Sequence, residues 1–149
     1  MAVVSETVVV PFPIADVFDF LVDGTHNALW RPEVVSVIFA AGPAQSAVWA
    51  QSVRDRRGRI RRADYRVTWY EHPGSLELTV VNGPSRPTTT FALKSFGPSS
   101  TEVHYTVDVK PLLWPFDRTR FGAPAAQAEA ANILNLPKAM GSARGVSVR

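Results

Sequence analysis

The sequence contains no cysteine among its 149 residues. Disulfide bonds, thiolate metal sites and cysteine nucleophiles are therefore excluded, which is compatible with a reducing compartment. No stretch approaches the ~18 consecutive apolar residues of a membrane-spanning helix, and Met1 to Val10 lacks the basic start of a secretory signal. We therefore expect a cytoplasmic protein without integral membrane contact.

Residues that bind metals or phosphates are also few. The three histidines, His26, His72 and His104, fall on a short helix, in a turn and at an outward strand position, so no two of them are expected to share a site. The sequence has no glycine-rich phosphate loop, and no Ser-His-Asp arrangement emerges from it. We therefore expect neither a metal nor another cofactor, and we assign no catalytic residue.

Lysine is scarce, and arginine outnumbers it 13 to 3 within a net charge of +3. One short segment carries seven of these arginines: Arg54, Arg56, Arg57, Arg59, Arg61, Arg62 and Arg66. A protein that binds single-stranded nucleic acid would combine such a basic surface with an aromatic stacking platform on the same face, which this segment lacks. We therefore expect no nucleic-acid partner.

Hydrophobic periodicity begins with one strand and two short helices. Val3 to Val9 is rich in β-branched residues, which favours a strand. The helix that opens at Pro13 carries apolar residues three and four positions apart, and Thr25 is suited to cap a second short turn running to Trp30. The apolar stripe of the first helix is predicted to face the sheet.

From Val34 onward the apolar residues alternate, which predicts an antiparallel meander joined by short turns. The predicted strands are Val34 to Ala40, Ala47 to Val53, Ile60 to Tyr70, Leu76 to Val81, Thr88 to Ser95 and Thr101 to Lys110. An alanine-rich helix is predicted from Pro124 to Leu136, ended by Pro137 and Gly141.

This order of elements covers nearly the whole chain and resembles the START/Bet v1-like (SRPBCC) superfamily, in particular its polyketide cyclase/dehydrase and lipid-transport branch. The matching motifs are the helix Pro-Ile-Ala-Asp-Val-Phe-Asp-Phe-Leu from Pro13, Asp23 followed by Trp30-Arg31-Pro32 and the strand at Val34, and Thr101-Glu102-Val103 after a Gly/Ser turn. One departure is Gly122-Ala123-Pro124, which interrupts the expected start of the last helix.

The resemblance implies an α+β helix-grip fold, with a curved seven-stranded antiparallel sheet, two short helices and one C-terminal helix. We expect a single ligand-binding domain at residues 1–140, a flexible tail at residues 141–149, and a monomer or weak homodimer. The implied function is binding of a small hydrophobic or amphipathic molecule, as a carrier or sensor, in a cavity between the sheet and the C-terminal helix. The alternative is an aromatase/cyclase-like enzyme acting on a bound aromatic or polyketide substrate.

Strand alternation provides the candidate ligand-binding residues, because every second side chain points to the same face of a sheet. The more apolar set is expected to face inward, opposite the small helix residues Ala126, Ala130 and Ala131. Its candidates are Trp49, Gln51, Tyr65, Val67, Trp69, Leu78, Phe91, Leu93, Tyr105 and Val107. Under the enzyme alternative, Tyr65, Tyr105, Gln51 or an arginine would do acid–base or positional work. The competing interpretation is that these aromatic residues simply fill a core.

A candidate entrance follows from the topology of a meander, since the turns after its second, fourth and sixth strands lie at the same end of the sheet. That end would bring together the loop before Thr88, the apolar segment after Lys110 and the turn Arg56-Arg57-Gly58-Arg59, which we term the arginine turn. The entrance residues would be Arg56, Arg57, Arg59, Arg86, Trp114 and Phe116. Arginines beside apolar side chains would attract an acidic or phosphorylated amphiphile. The simpler interpretation of the arginines is a solvated hairpin tip.

Overall fold

The computed structural model describes residues 2–83, 86–109 and 123–143, in which eight strands form one antiparallel sheet. The strands are β1 (Ala2–Val10), β2 (Val34–Ala41), β3 (Val48–Arg54), β4 (Ile60–Arg62), β5 (Tyr65–Glu71), β6 (Ser75–Val80), β7 (Thr88–Ser95) and β8 (Thr101–Val109). Seven of them follow the order β1-β8-β7-β6-β5-β3-β2, and β4 pairs with β3 off this path.

The helices within the described residues lie toward the two ends of the chain. They are α1 (Ile14–Val22), α2 (Asn27–Trp30), α3 (Ala123–Ala131) and α4 (Leu136–Ala143), with short 3₁₀ turns at Gly24–His26, Ala44–Ser46 and Asn132–Asn135. The architecture is the predicted α+β helix-grip fold. None of the described helices is long and apolar enough to cross a membrane.

The predicted strand from Ile60 to Tyr70 is two strands in the structure. β4 pairs with the end of β3, whereas β5 pairs with its start, at Val48 and Trp49. The break falls where the carboxylate of Asp64 accepts a hydrogen bond from the backbone N–H of Gln51, at 3.0 Å. A side chain thus replaces a backbone partner at this point of the sheet.

The prediction that Pro137 and Gly141 end the last helix is wrong. Asn132–Asn135 tightens into a 3₁₀ turn, and α4 then continues to Ala143. Pro137 is the second residue of α4, and proline is tolerated in the first turn of a helix because N–H groups there have no partner within the helix. Gly141 is buried, so the predicted tail does not begin at residue 141, and residues 144–149 lie outside the described part.

The inner face of the sheet, meaning the face covered by the helices, holds the hydrophobic core. α1 packs against β7, and α3 packs against β1 and β8. Ala126 and Ala130 of α3 are buried four residues apart, as one face of a helix requires. Ala131 is exposed, so the prediction that it opposes the sheet is wrong.

Trp30, the last residue of α2, fixes that short helix onto the sheet. Its side chain is 3% exposed, and its ring meets those of Phe91 and Tyr105 edge-on, with centroids 6.1 and 5.5 Å away. Edge-on contacts of this kind add to the large apolar area that a tryptophan buries. A helix of four residues is too short to be stable alone, so Trp30 holds α2 in place.

Replacement of Trp30 by a small residue should destabilise the protein. Trp30→Ala is expected to lower the free energy of unfolding by about 3–5 kcal/mol, the usual range for a buried tryptophan, as measured by urea denaturation. Trp69→Ala is the control because Trp69 is 53% exposed, and it should change stability by less than about 1 kcal/mol. Equal effects of the two substitutions would contradict the anchoring role of Trp30.

Candidate functional site

Nine of the ten predicted ligand-binding residues share the inner face. Trp49 lies opposite Tyr65, Val67 opposite Leu78, and Phe91 opposite Tyr105 across neighbouring strands. Leu78 is half-buried. The buried members are Trp49, Gln51, Tyr65, Val67, Phe91, Leu93, Tyr105 and Val107.

Trp69 is the exception, and its predicted place in the site is wrong. Val67 pairs with Leu78, but Trp69 pairs with Glu77, so Thr68 is an additional residue that forms a β-bulge. The bulge reverses the alternation along β5. Trp69 therefore lies on the outer face.

Phe91 and Leu93 are covered by helices. The Phe91 ring lies under Trp30, and Leu93 lies on β7, the strand against which α1 packs. These two side chains belong to the hydrophobic core. The other buried apolar members of the set belong to the same core. Leu78 is the one predicted inner-face residue that is half-buried, so the candidate site is placed beside it, around Gln51, Tyr65 and Leu78.

The turn that contains Gly24 packs closely against this part of the sheet. A Cβ atom at Gly24 would lie 2.5 Å from the Tyr65 hydroxyl oxygen and 2.6 Å from the Trp49 ring. Contacts this short do not occur in proteins, so the turn after α1 reaches the two rings only because residue 24 has no side chain. The turn forms one wall of the candidate site.

A buried group of amides and hydroxyls interrupts the apolar inner face. Asn27 Nδ2 donates to Gln51 Oε1 at 3.1 Å and to the Tyr65 hydroxyl at 2.9 Å. Gln51 Nε2 donates to the Ala63 carbonyl at 3.1 Å, and Arg31 Nη1 donates to Gln51 Oε1 at 3.3 Å. Asn27 and Gln51 are only 3% and 2% exposed. Sequence reasoning missed Asn27, because nothing in its neighbourhood marks it apart from a helix start.

Arg31 also carries the main electrostatic contact of the site. Its guanidinium forms an ion pair with Glu129 of α3, which includes a 3.1 Å hydrogen bond from Nε to Oε2. Glu33 Oε1 lies 3.4 Å from the same Nε. The side chains of Arg31 and Glu129 are each 14% exposed. Charged groups so far from water are retained only when they are paired.

Two asparagines extend this contact along the last helix. Asn132 Nδ2 donates to Glu129 at 2.9 Å and to Glu33 at 3.0 Å, and Asn135 Nδ2 donates to the Trp30 carbonyl at 3.0 Å. Glu129, Asn132 and Asn135 recur every third residue and so share one side of the helical segment. With Arg31 and Glu33 they form what we term the polar seam. The spacing of these three polar residues in an alanine-rich segment was a signal that sequence reasoning overlooked.

Burial sets the protonation states around the seam. Burial raises the pKa of Glu129 to about 7, assisted by the negative charge of Glu33 and opposed by Arg31 and Asn132. Burial is the largest single influence on the pKa of Arg31 and lowers it. The combined effects of Glu129, Tyr105 and Glu33 outweigh burial, so the net pKa lies above the ordinary value. Glu129 therefore changes charge near neutrality, whereas Arg31 remains charged.

The two inner tyrosines are neutral at physiological pH. Burial raises the pKa of Tyr65 to about 12, despite the hydrogen bond from Asn27. Burial and the charge of Glu129 raise the pKa of Tyr105 well above its usual 10. Both hydroxyl groups therefore keep their hydrogens.

The arginine turn lies between β3 and β4, and its side chains are exposed. The Asp55 carboxylate organises the turn, because it accepts the backbone N–H groups of Arg57 and Arg59 at 2.9 Å and Arg61 Nε at 2.7 Å. The hydrogen bond from Arg61 is the main cause that lowers the pKa of Asp55. The turn is thus preformed, with Arg56, Arg57 and Arg59 directed to solvent.

The loop after β6 lies beside this hairpin. Asn82 Nδ2 donates to Asp64 at 3.0 Å, and a Cβ atom at Gly83 would lie 3.4 Å from the Arg62 carbonyl. Arg86 follows in the same loop and is exposed. Trp114 and Phe116, the remaining predicted entrance residues, lie outside the described residues.

Metal chemistry finds no support in the described ranges. Within residues 2–83, 86–109 and 123–143, no three His, Cys, Asp or Glu side chains are grouped so as to hold a metal ion. Each histidine has its own partner: His26 contacts the Phe20 carbonyl, His72 contacts Asp19, and His104 contacts Thr7.

Comparison with known proteins agrees with the observed fold. The sequence model of a family described as polyketide cyclase / dehydrase and lipid transport matches residues 1–136. No curated protein sequence matches the chain.

Two solved structures show the same fold. A START superfamily protein from Mycobacterium smegmatis is 18% identical, with a TM-score of 0.75 over 96% of this chain and 97% of that one. The Zhui aromatase/cyclase from Streptomyces sp. R1128 is also 18% identical, with a TM-score of 0.72 over 95% and 93% of the two chains.

The raised pKa of Glu129 has a measurable consequence. Between its usual pKa of 4.5 and the folded value of about 7, the folded protein holds a proton that the unfolded chain has released. The free energy of unfolding should therefore fall as pH rises through this window. Glu129→Gln should remove this decline, as measured by urea denaturation at a series of pH values.

Glu71→Gln is the matched control because Glu71 is exposed, and it should keep the pH dependence of the wild-type protein. If the free energies of unfolding of Glu129→Gln and wild type depend on pH in the same way, the pKa of Glu129 is not raised in the folded protein.

Proposed function

The chain belongs to the polyketide cyclase/dehydrase and lipid-transport family, and we propose that it binds a small hydrophobic or amphipathic molecule between the inner face of the sheet and the C-terminal helix. In this proposal it acts as a carrier or sensor that releases its ligand unchanged. A cytoplasmic location and a monomeric or weakly dimeric state remain predictions.

The observation that carries the proposal is a group of buried hydrogen-bond donors without matching acceptors. The Tyr65 hydroxyl accepts from Asn27, which leaves its own hydrogen to donate. Within the described residues, the buried Nε1–H group of Trp49 also has no partner. A buried donor without an acceptor costs about 1–3 kcal/mol. A ligand with an acceptor oxygen would satisfy such donors.

Apolar side chains provide the second support. Val37, Leu78 and Val80 pack against the core yet remain only half-buried. A ligand that covered them would gain roughly 25 cal/mol for each Å² of apolar surface removed from water. An apolar wall with a few converging polar groups is typical of small-molecule sites.

An enzymatic function is the second candidate, and the ionisation of the seam favours it. Glu129 changes charge near pH 7, so it is able to accept or release a proton under physiological conditions. The neutral hydroxyls of Tyr65 and Tyr105 would donate hydrogen bonds to a substrate carbonyl. Conversion of a poly-β-keto surrogate that Tyr65→Phe or Tyr105→Phe abolishes would favour the enzyme over the carrier.

The binding proposal is tested with the neutral fluorescent probe N-phenyl-1-naphthylamine. Leu78→Trp places a larger side chain on the half-buried part of the inner face, and it should weaken probe binding at least about tenfold, or 1.4 kcal/mol. Trp69→Leu is the control because Trp69 lies on the outer face. Both variants are first checked for unchanged thermal melts.

The result that would contradict inner-face binding is equal probe affinity in wild type and Leu78→Trp. The proposal would also be contradicted if the wild-type protein showed no saturable binding of the probe.

The exposed arginine turn is proposed to attract anionic ligands and to contribute little to folding. Replacement of Arg56, Arg57 and Arg59 by Ser should change stability by no more than about 0.5 kcal/mol per site. The same replacement should weaken binding of 1-anilinonaphthalene-8-sulfonate and flatten its dependence on salt. Arg66→Ser, which removes an exposed arginine of β5, is the control. Unchanged affinity and salt dependence in the triple variant would exclude an entrance at this turn.

A further inference from the structure

A second concave surface lies between α2 and α4. It is a groove of about 440 Å³, within the roughly 300–1,000 Å³ of small-molecule sites. Trp30 belongs to its wall and also packs against Phe91 and Tyr105, so its indole stands between the groove and the sheet. The groove is lined by Ala28, Leu29, Trp30, Pro32, Asn135, Lys138, Ala139 and Ser142.

One side of the groove is apolar. Ala28 and Ala139 contribute only methyl groups, which leaves room above them, and Leu29 is 52% exposed. Trp30 is buried, and its Nε1–H has no hydrogen-bond partner within the described residues. An exposed leucine beside small residues and a tryptophan is suited to cover an alkyl chain.

The other side presents a positive charge beside a hydroxyl group. Lys138 and Ser142 are four residues apart on α4, so they lie on one face of that helix. Both are exposed, and Lys138 has no carboxylate within 4.0 Å among the described residues. The acidic residue next to the groove in sequence, Glu33, is held by Arg31 and Asn132 in the polar seam.

We propose that this groove is a second binding site, for a free single-chain amphiphile with an anionic head group, such as a fatty acid. The head group pairs with the Lys138 ammonium and accepts a hydrogen bond from the Ser142 hydroxyl. The alkyl chain lies along Leu29 and Ala139 against the Trp30 indole. The site is separate from the inner-face site, because Trp30 and the polar seam lie between the two.

Calorimetric titration with decanoate tests this proposal. Lys138→Met keeps an unbranched apolar side chain but removes the charge, and it should weaken decanoate binding about tenfold, or 1.4 kcal/mol, while decanol binding is unchanged. Lys94→Met is the matched control because Lys94 is an exposed lysine on β7, and it should bind decanoate as wild type does.

A Leu78→Trp background separates this site from the inner face. Decanoate binding that is sensitive to Lys138→Met should persist in that background, even though the neutral probe binds more weakly. Loss of decanoate binding in Leu78→Trp would assign the amphiphile to the inner face and overturn the groove proposal. Equal affinity of Lys138→Met and wild type would overturn it as well. Lys138-dependent binding to phosphatidylglycerol vesicles without any binding of decanoate would also overturn the proposal, because the groove would then contact a membrane surface and not a free amphiphile.

Discussion

The ion pair between Arg31 and Glu129 connects the last helix to the segment between α2 and β2, and the shape of the candidate site depends on that connection. Two charges that are largely removed from water cost several kcal/mol each in desolvation, and their attraction recovers this only with additional hydrogen bonds. Gln51 and Asn132 supply such bonds at 3.3 Å and 2.9 Å. Replacement of a buried ion pair by well-packed apolar residues is often neutral or even stabilising. The stability of the fold alone therefore does not account for the polarity of the seam.

The positions of most elements were predictable because alternation and turn residues are local properties of the sequence. β7 has the bounds that alternation predicts, Thr88–Ser95, and the helix of Pro13 begins at the next residue. The place of Trp69 was not predictable, since a bulge at Thr68 depends on the pairing of β5 with β6 and not on the sequence of β5 alone. The helix beyond Pro137 was missed for a related reason. A 3₁₀ turn before the proline restarts the helix, so the proline lies in a first turn.

The candidate site was predictable only in its apolar part. Gln51, Tyr65, Val67 and Leu78 follow from strand alternation, whereas Asn27, Arg31 and Glu129 come from segments that are distant in sequence. Their partnership depends on how the C-terminal helix crosses the sheet, and local patterns contain no information on that. A shared fold at 18% identity does not determine the ligand either, because one scaffold hosts many functions. The chemistry of the ligand has to be inferred from the polar groups of this chain.

The most direct test of the central claim is to locate a bound apolar molecule by intermolecular nuclear Overhauser effects between N-phenyl-1-naphthylamine and methyl-labelled protein. Binding at the inner face predicts contacts from the probe to the methyl groups of Val67, Leu78 and Val107. Contacts confined to exposed methyl groups, such as those of Ile38 at 66% exposure, would show that the inner face is an ordinary core and would contradict the account.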